Sequence, residues 1–249
     1  IMSPPNLPGW DNIHITVMLD SAFGVPAYLK NDADAGALAE WMYGAGKGCD
    51  NMIFMTFGTG LGAGLILNGS LYSGFCGCAG EIGHVRLTGC GPVGYGKEGS
   101  CEGFCSGGGI AQLGQIHARA LLQKGQVPSY CSSVAELDTV TAKGIAECAK
   151  AGYADAIYVY QRSGEMLGRT LAILIDILNP EMIVIGSIFA RCENLLRKAM
   201  QRELEREGLS TAVRACRIVP AGLGERIGDI AAISVAVNGI GREVREGLL

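Results

Sequence analysis

Residues Met52 to Leu67 read MIFMTFGTGLGAGLIL, and this stretch sets the architecture. The apolar run Met52-Ile53-Phe54-Met55 has the make-up of a buried strand and Leu65-Ile66-Leu67 that of another, with glycines at 58, 60, 62 and 64 filling the interval. The reading is strand, glycine turn, strand. Lacking Cβ atoms, such a turn can aim successive backbone N–H groups at an anion and let it come close. No Gly-Lys-Ser/Thr closes the run and no helical pattern opens directly behind it, so neither a P-loop nor a Rossmann loop fits. A hairpin with glycines at tight bends and no ligand is the competing reading.

On either side, helices alternate with strands, which argues for an α/β fold with functional loops at strand ends. Upstream, Ile13–Phe23 reads as a helix stopped by Gly24, Pro26–Leu29 as a short strand, and Ala33–Tyr43 as a helix with an apolar stripe of Ala37, Leu38, Trp41 and Met42. One of Asn31 and Asp32 is placed to cap that helix. Downstream, Thr88–Gly109 is glycine-rich and charged, as a loop over a site would be. Helices are expected at Ile110–Gln123, Val134–Ala151, Tyr153–Leu178, Arg191–Glu207 and, buried, at Ile230–Asn238. Strands are expected at Met182–Ile185, ending in the turn Gly186-Ser187, and at Cys216–Val219.

With 249 residues, 49% of them hydrophobic, the chain can bury a large core. A net charge of −4 gives no electrostatic footprint for nucleic acid or an anionic membrane, so neither is expected as a partner. The segment Ile1–Trp10 has neither a basic start nor a long apolar run, which makes the cytoplasm the expected location. Ten scattered cysteines without a secretory signal read as reduced thiols, although Cys76, Cys78, Cys90, Cys101 and Cys105 cluster in sequence and are candidate zinc ligands.

The order of motifs is specific where each alone is weak. Asn31-Asp32 before a helix, the Gly58–Gly64 hairpin, Asn68-Gly69, Gly74, the run Ala79-Gly80-Glu81-Ile82-Gly83-His84 and Glu102 in Gly99-Ser100-Cys101-Glu102 together resemble the ROK family, from Pro5 to about Asn238. That family comprises bacterial sugar kinases and sugar-responsive repressors. The resemblance implies an actin-like, ribonuclease-H-type fold with sugar and ATP between two lobes. It divides the chain into residues 1–32, a remnant of the small lobe, and 33–249, the large sugar- and nucleotide-binding lobe, with the last helix returning to the small lobe. It makes Asp32 the general base that takes the proton of a hexose hydroxyl. Asn31, Glu81, His84 and Glu102 fall where the family grips the sugar; Gly58, Thr59 and Gly60 face the ATP phosphates, and Gly186-Ser187 forms the adenosine-side turn. A glucokinase-like enzyme using ATP and Mg²⁺ on glucose or a related, including N-acetylated, hexose is implied, assembled as a homo-oligomer. A sugar-sensing regulator, or a sugar-binding piece without catalysis, is the alternative.

Three departures qualify the resemblance. Aligning on Gly96, Gly99 and Glu102 puts Val93, Tyr95 and Ser100 where many members have zinc cysteines, so no zinc is expected and the loop should be held by packing of Tyr95 and Phe104. The Asp-x-Gly-Gly-Thr hairpin that opens the family's kinases does not occur, and Pro4–Trp10 resembles the stretch shortly before the catalytic Asp. Most of a first lobe is then outside the sequence, which implies impaired ATP turnover and an uncovered apolar surface. Finally, Asp34 stands where many relatives have Asn, adding a charge near the proposed base.

Overall fold

The computed structural model describes residues 9–246, so most of the Pro4–Trp10 stretch lies outside the described residues. Its centre is a five-stranded mixed sheet. Strand β1 (Met52–Phe57) pairs antiparallel with β2 (Leu61–Leu67), which pairs antiparallel with β3 (Ser70–Tyr72). On its other side β1 runs parallel to β6 (Met182–Ile185), and β6 runs parallel to β7 (Arg217–Pro220). A second, two-stranded ribbon pairs β4 (Val93–Gly94) with β5 (Lys97–Glu98).

Strands buried on both faces have no polar side to show, which is why β1 and β6 are continuous apolar runs in the sequence. Alternation splits them between two cores. Ile53, Met55, Phe57, Ile183 and Ile185 join a large cluster with helices α3 (Cys101–Phe104), α4 (Gly107–Gln123), α5 (Ala142–Lys150), α6 (Ala154–Leu178) and α7 (Ile188–Glu207). Met52, Phe54, Met182 and Val184 pack on the opposite face against α2 (Asp32–Tyr43) and α9 (Ile227–Glu246); a short α8 (Ser210–Ala215) links α7 to β7. Glu40 of α2, fully buried, accepts backbone hydrogen bonds from Ala45, Gly222 and Leu223, fastening the helix end to the loop after β7.

Helix α1 (Ile15–Phe23) ends, as its sequence indicates, at a left-handed Gly24. Four expectations need correction. Pro26–Leu29 forms no strand; Tyr28 instead packs on Gly239 of α9 and donates its hydroxyl to Glu243 (2.5 Å). The expected helix Val134–Ala151 breaks into a 3₁₀ turn, Val134–Thr139, and α5, because Thr141 turns its hydroxyl to the Gly144 amide and caps a new start. The glycine-rich Thr88–Gly109 is more ordered than a loop, holding β4, β5 and α3. The last helix runs well beyond Ile230–Asn238 and is amphipathic rather than buried, with Ile233, Val237, Ile240 and Val244 exposed. Helix α1 also buries no residue, and Val17, Met18, Phe23, Val25 and Leu29 remain on the surface.

Candidate active site

Asn31 and Asp32 divide the two tasks that compete at a helix start. The Asn31 side chain caps α2, accepting from the Asp34 amide at 2.7 Å, which leaves Asp32 as the first helical residue with its Oδ1 on the neighbouring Ala33 amide (2.9 Å). Asp32 lines a cavity of about 770 Å³ together with Lys30, Thr56, Gly58, Gly186 and Ser187.

Helix α2 reaches this position only because strand β2 is made of glycines there. A Cβ at Gly64 would lie 2.4 Å from the Ala33 carbonyl oxygen, and one at Gly62 would already touch the Ala33 side chain at 3.5 Å. The backbone of the same four residues, Leu61–Gly64, holds the other predicted side chains. Beyond the reach of β3, the Ala63 amide donates to the Gly80 carbonyl (3.0 Å), which fixes the turn carrying Glu81 and His84. The Leu61 amide donates to Glu102 Oε2 (3.0 Å), while the α3 helix start is capped by Ser100 accepting from the Gly103 amide. Gly60, Gly83 and Gly94 surround Glu102; a Cβ at Gly94 would come within 2.8 Å of its Cβ, one at Gly60 within 2.9 Å of its carboxylate, and one at Gly83 is excluded by the Leu61 carbonyl.

His84 ends a 3₁₀ turn (Ile82–His84) and stacks on Tyr95, ring centres 5.0 Å apart, while its carbonyl accepts from Lys97 Nζ (2.8 Å). Phe104 covers Gly91 so closely that a Cβ there would come within 2.5 Å of its ring. Tyr95 and Phe104 thus both pack within this loop. Cys101 and Cys105 are buried in the main core, whereas Cys76, Cys78 and Cys90 are exposed.

Gly58 and Ser187 also line a second cavity of about 900 Å³, shared with Thr59, Gly107, Gly108, Lys143, Lys150 and Arg191. With Arg191, which also lines both, these residues form the neck between the cavities: a Cβ on Gly58 would lie 3.4 Å from Ser187 Oγ. The structure thus brings Asp32, Gly58, Gly186 and Ser187 to one cavity and Gly58, Thr59 and Ser187 to the next. Asn31, Gly60, Glu81, His84 and Glu102 are on neither wall; they gather at the α2 start and along β2. Sequence reading missed Lys30, Gly107, Gly108, Lys143, Lys150 and Arg191. Ser106-Gly107-Gly108-Gly109 did carry a signal, since a serine before three glycines marks a capped helix start open to close approach, and Ser106 accepts from the Gly109 amide (3.0 Å). The α5 lysines carried none until the helix break at Thr141 was known.

Ser187 sits at φ 59°, ψ −116°, the corner of a type II′ turn that glycine fills without strain. Such a conformation costs a side-chain-bearing residue about 1–3 kcal/mol, partly offset by the extra unfolded-state freedom that glycine brings. Ser187→Gly should therefore raise Tm by about 2–4 °C and Ser187→Ala should not, as thermal denaturation of both variants would show.

Sheet order, helices on both faces and a glycine-walled cleft define an actin-like ATPase fold, the fold of sugar kinases such as the Thermus thermophilus ROK hexokinase. The sequence model of the ROK family matches residues 1–238, and the chain belongs to that family. It is 31% identical to the glucokinase of Thermotoga maritima over 95% of its own length and 74% of that enzyme. It is also 31% identical to the xylose repressor of Caldicellulosiruptor bescii, over 75% of its length but 46% of the repressor's. Among solved structures, the ROK glucokinase of Streptomyces griseus in complex with glucose and AMPPNP superposes with a TM-score of 0.73 at 28% identity, covering 90% of this chain and 72% of that one. Among the described residues no helix is long and apolar enough to cross a membrane.

Proposed function

We propose that the chain is an ATP-dependent hexose kinase, phosphorylating the primary hydroxyl of glucose or a related hexose, N-acetylated sugars included. The observation that carries this reading is the neck at Gly58 and Ser187, with a carboxylate cavity on one side and a cavity walled by glycines and lysines on the other. Sugar meets Asp32 where that cavity adjoins the Asn31, Glu81, His84 and Glu102 side chains gathered at the α2 start and along β2, and nucleotide enters the second cavity. Residues from 33 onward provide most of both sites, Lys30, Asn31 and Asp32 complete the first from the preceding segment, and the protein works in the cytoplasm as a homo-oligomer.

In the reaction, the Asp32 carboxylate takes the proton of the sugar hydroxyl as that oxygen attacks the γ-phosphorus. The bond from phosphorus to the β,γ-bridging oxygen breaks, ADP leaves, and the sugar phosphate remains. Proton removal is needed only as the new bond forms, so the main contribution is placement. The Thr59 amide and hydroxyl face the transferring phosphate, the Gly58 amide being engaged by the Gly60 carbonyl (3.1 Å), and the Gly186-Ser187 turn closes the adenosine side. Glu102, with Oε2 on the Leu61 amide, has Oε1 for a sugar hydroxyl, and Asn31, with its oxygen on the Asp34 amide, has its NH₂ to donate. Glu81 and His84 complete the grip. ATP would enter as its magnesium complex; no three His, Cys, Asp or Glu side chains among the described residues gather as ligands, and no step here runs through the metal.

Glu102→Gln keeps the shape and the acceptor for Leu61 but removes the charge. We expect it to weaken hexose binding about tenfold, with Tm of the unliganded protein unchanged. Thermal-shift titration with glucose, mannose and their N-acetylamino counterparts checks this. Wild-type protein stabilised by none of them contradicts the reading. A sugar-sensing regulator is the second reading, favoured by the similarity to the xylose repressor; sugar binding without phosphate transfer by the full-length protein would select it.

A further inference from the structure

Asp34 is a buried carboxylate with an oxygen to spare. It is 2% exposed, its Oδ2 accepts from Ser73 Oγ at 2.9 Å, and its Oδ1 is the buried side-chain polar atom without a hydrogen-bond partner among the described residues. Burial pushes its proton affinity up, while the Ser73 hydroxyl and the charge of Lys30 pull it back down. The same Ser73 Oγ accepts from Lys30 Nζ at 3.2 Å. Two distant parts of the chain therefore meet in one polar line: Lys30 just before α2 with Asp34 in its first turn, and Ser73 just after β3.

A buried, incompletely satisfied charge costs stability, and a surface lysine needs no such counter-ion. The arrangement does make sense if the ammonium must stay in one place. Lys30 lines the Asp32 cavity and also the neighbouring cavity of about 990 Å³, and Ser73, which holds its ammonium, lines the latter. The other cation on the Asp32 cavity wall, Arg191, stands 3.9 Å from the Glu225 carboxylate. Lys30 is joined to its carboxylate only through the Ser73 hydroxyl and has N–H groups to offer elsewhere. Because Asp34 and Asp32 share the first turn of α2, whatever aims Lys30 also aims it relative to the proposed base.

Resting on the hexose-kinase reading above, we propose that the Lys30 ammonium is the cation that meets the phosphoryl group as it arrives in the Asp32 cavity, and that Ser73 and Asp34 are positioning residues that aim it. Lys30 exchanges no proton and forms no covalent bond. It opposes the charge spread over the peripheral oxygens of the group in flight, a task for which a point charge on a flexible stem is suited. A purely structural tether between α2 and the Ser73–Gly80 loop would use the same contacts, so the test must separate aim from stability.

Steady-state kinetics of Lys30→Met and Lys30→Arg, beside isothermal titration with inorganic phosphate, do this. Lys30→Met should lower kcat about 100-fold, with hexose affinity and Tm near wild type. Lys30→Arg should recover to within about tenfold of wild type, the charge being kept while the shape changes. Wild-type protein should bind inorganic phosphate at least about tenfold more tightly than Lys30→Met. A Lys30→Met enzyme turning over within twofold of wild type, or phosphate binding that does not depend on Lys30, overturns the proposal. Absence of turnover in the wild type would instead remove the hexose-kinase reading, and the phosphate titration would still decide the fate of Lys30 as a phosphate-binding cation.

Discussion

Replacing Asp32 by Asn should lower kcat for hexose phosphorylation about a thousandfold while changing sugar affinity by less than about threefold. The reasoning is local. Asp32 is not the helix cap, because Asn31 fills that role, so the substitution leaves the α2 start with its capping bond and removes only the proton acceptor. The amide can still accept from Ala33, as the carboxylate does at 2.9 Å, and it can still hydrogen-bond a sugar hydroxyl. It cannot take the proton. Single-turnover kinetics with hexose and ATP, beside equilibrium sugar binding, separate the two effects. A variant with wild-type kcat would remove Asp32 from the chemistry, and one that loses sugar binding would make it a ligand rather than a base.

The second large effect is expected at Gly80. Its φ of +86° is costly for any other residue, and a Cβ there would sit 1.9 Å from the carbonyl oxygen of Ala63, on the strand to which Gly80 is hydrogen-bonded. Backbone stands against backbone, so no side-chain rotation relieves the clash. Gly80→Ala should cost about 3–4 kcal/mol and lower Tm by roughly 10 °C. The turn that presents Glu81 and His84 should separate from β2, so that hexose no longer stabilises the variant. Chemical denaturation with and without hexose reads both effects; a variant within about 1 kcal/mol of wild type would mean that this turn is not held as the geometry indicates.

The sequence was informative wherever one residue type had one physical reason to be present. The glycines at 58, 60, 62 and 64 are such a case: two of them lie beneath α2, and two border the neck and Glu102. Continuous apolar runs announced β1 and β6 because the central strands are covered on both faces. The Asn31-Asp32 pair was legible as a cap next to a functional acid, but only the φ/ψ angles and the Asp34 amide show which residue does which. What escaped was tertiary. Pro26–Leu29 has strand-like composition but no partner edge, and Tyr28 finds α9 instead. Val134–Ala151 is helical in composition throughout, and the break depends on one hydroxyl of Thr141 reaching the Gly144 amide. Lys30 and Asp34 carry no local pattern; they acquire meaning from Ser73, about forty residues away in sequence and 2.9 Å from Asp34 in space.

The central claim is that the two cavities joined at Gly58 and Ser187 carry out one transfer, from nucleotide to sugar across the neck. Phosphorus NMR of the protein incubated with magnesium, ATP and glucose or an N-acetylhexosamine tests it most directly. The resonance of a hexose phosphorylated at its primary hydroxyl should grow as ATP falls, at a rate that collapses in Asp32→Asn. ATP that persists unchanged beside a sugar that demonstrably binds, or a sugar phosphate formed equally fast without the Asp32 carboxylate, would contradict it.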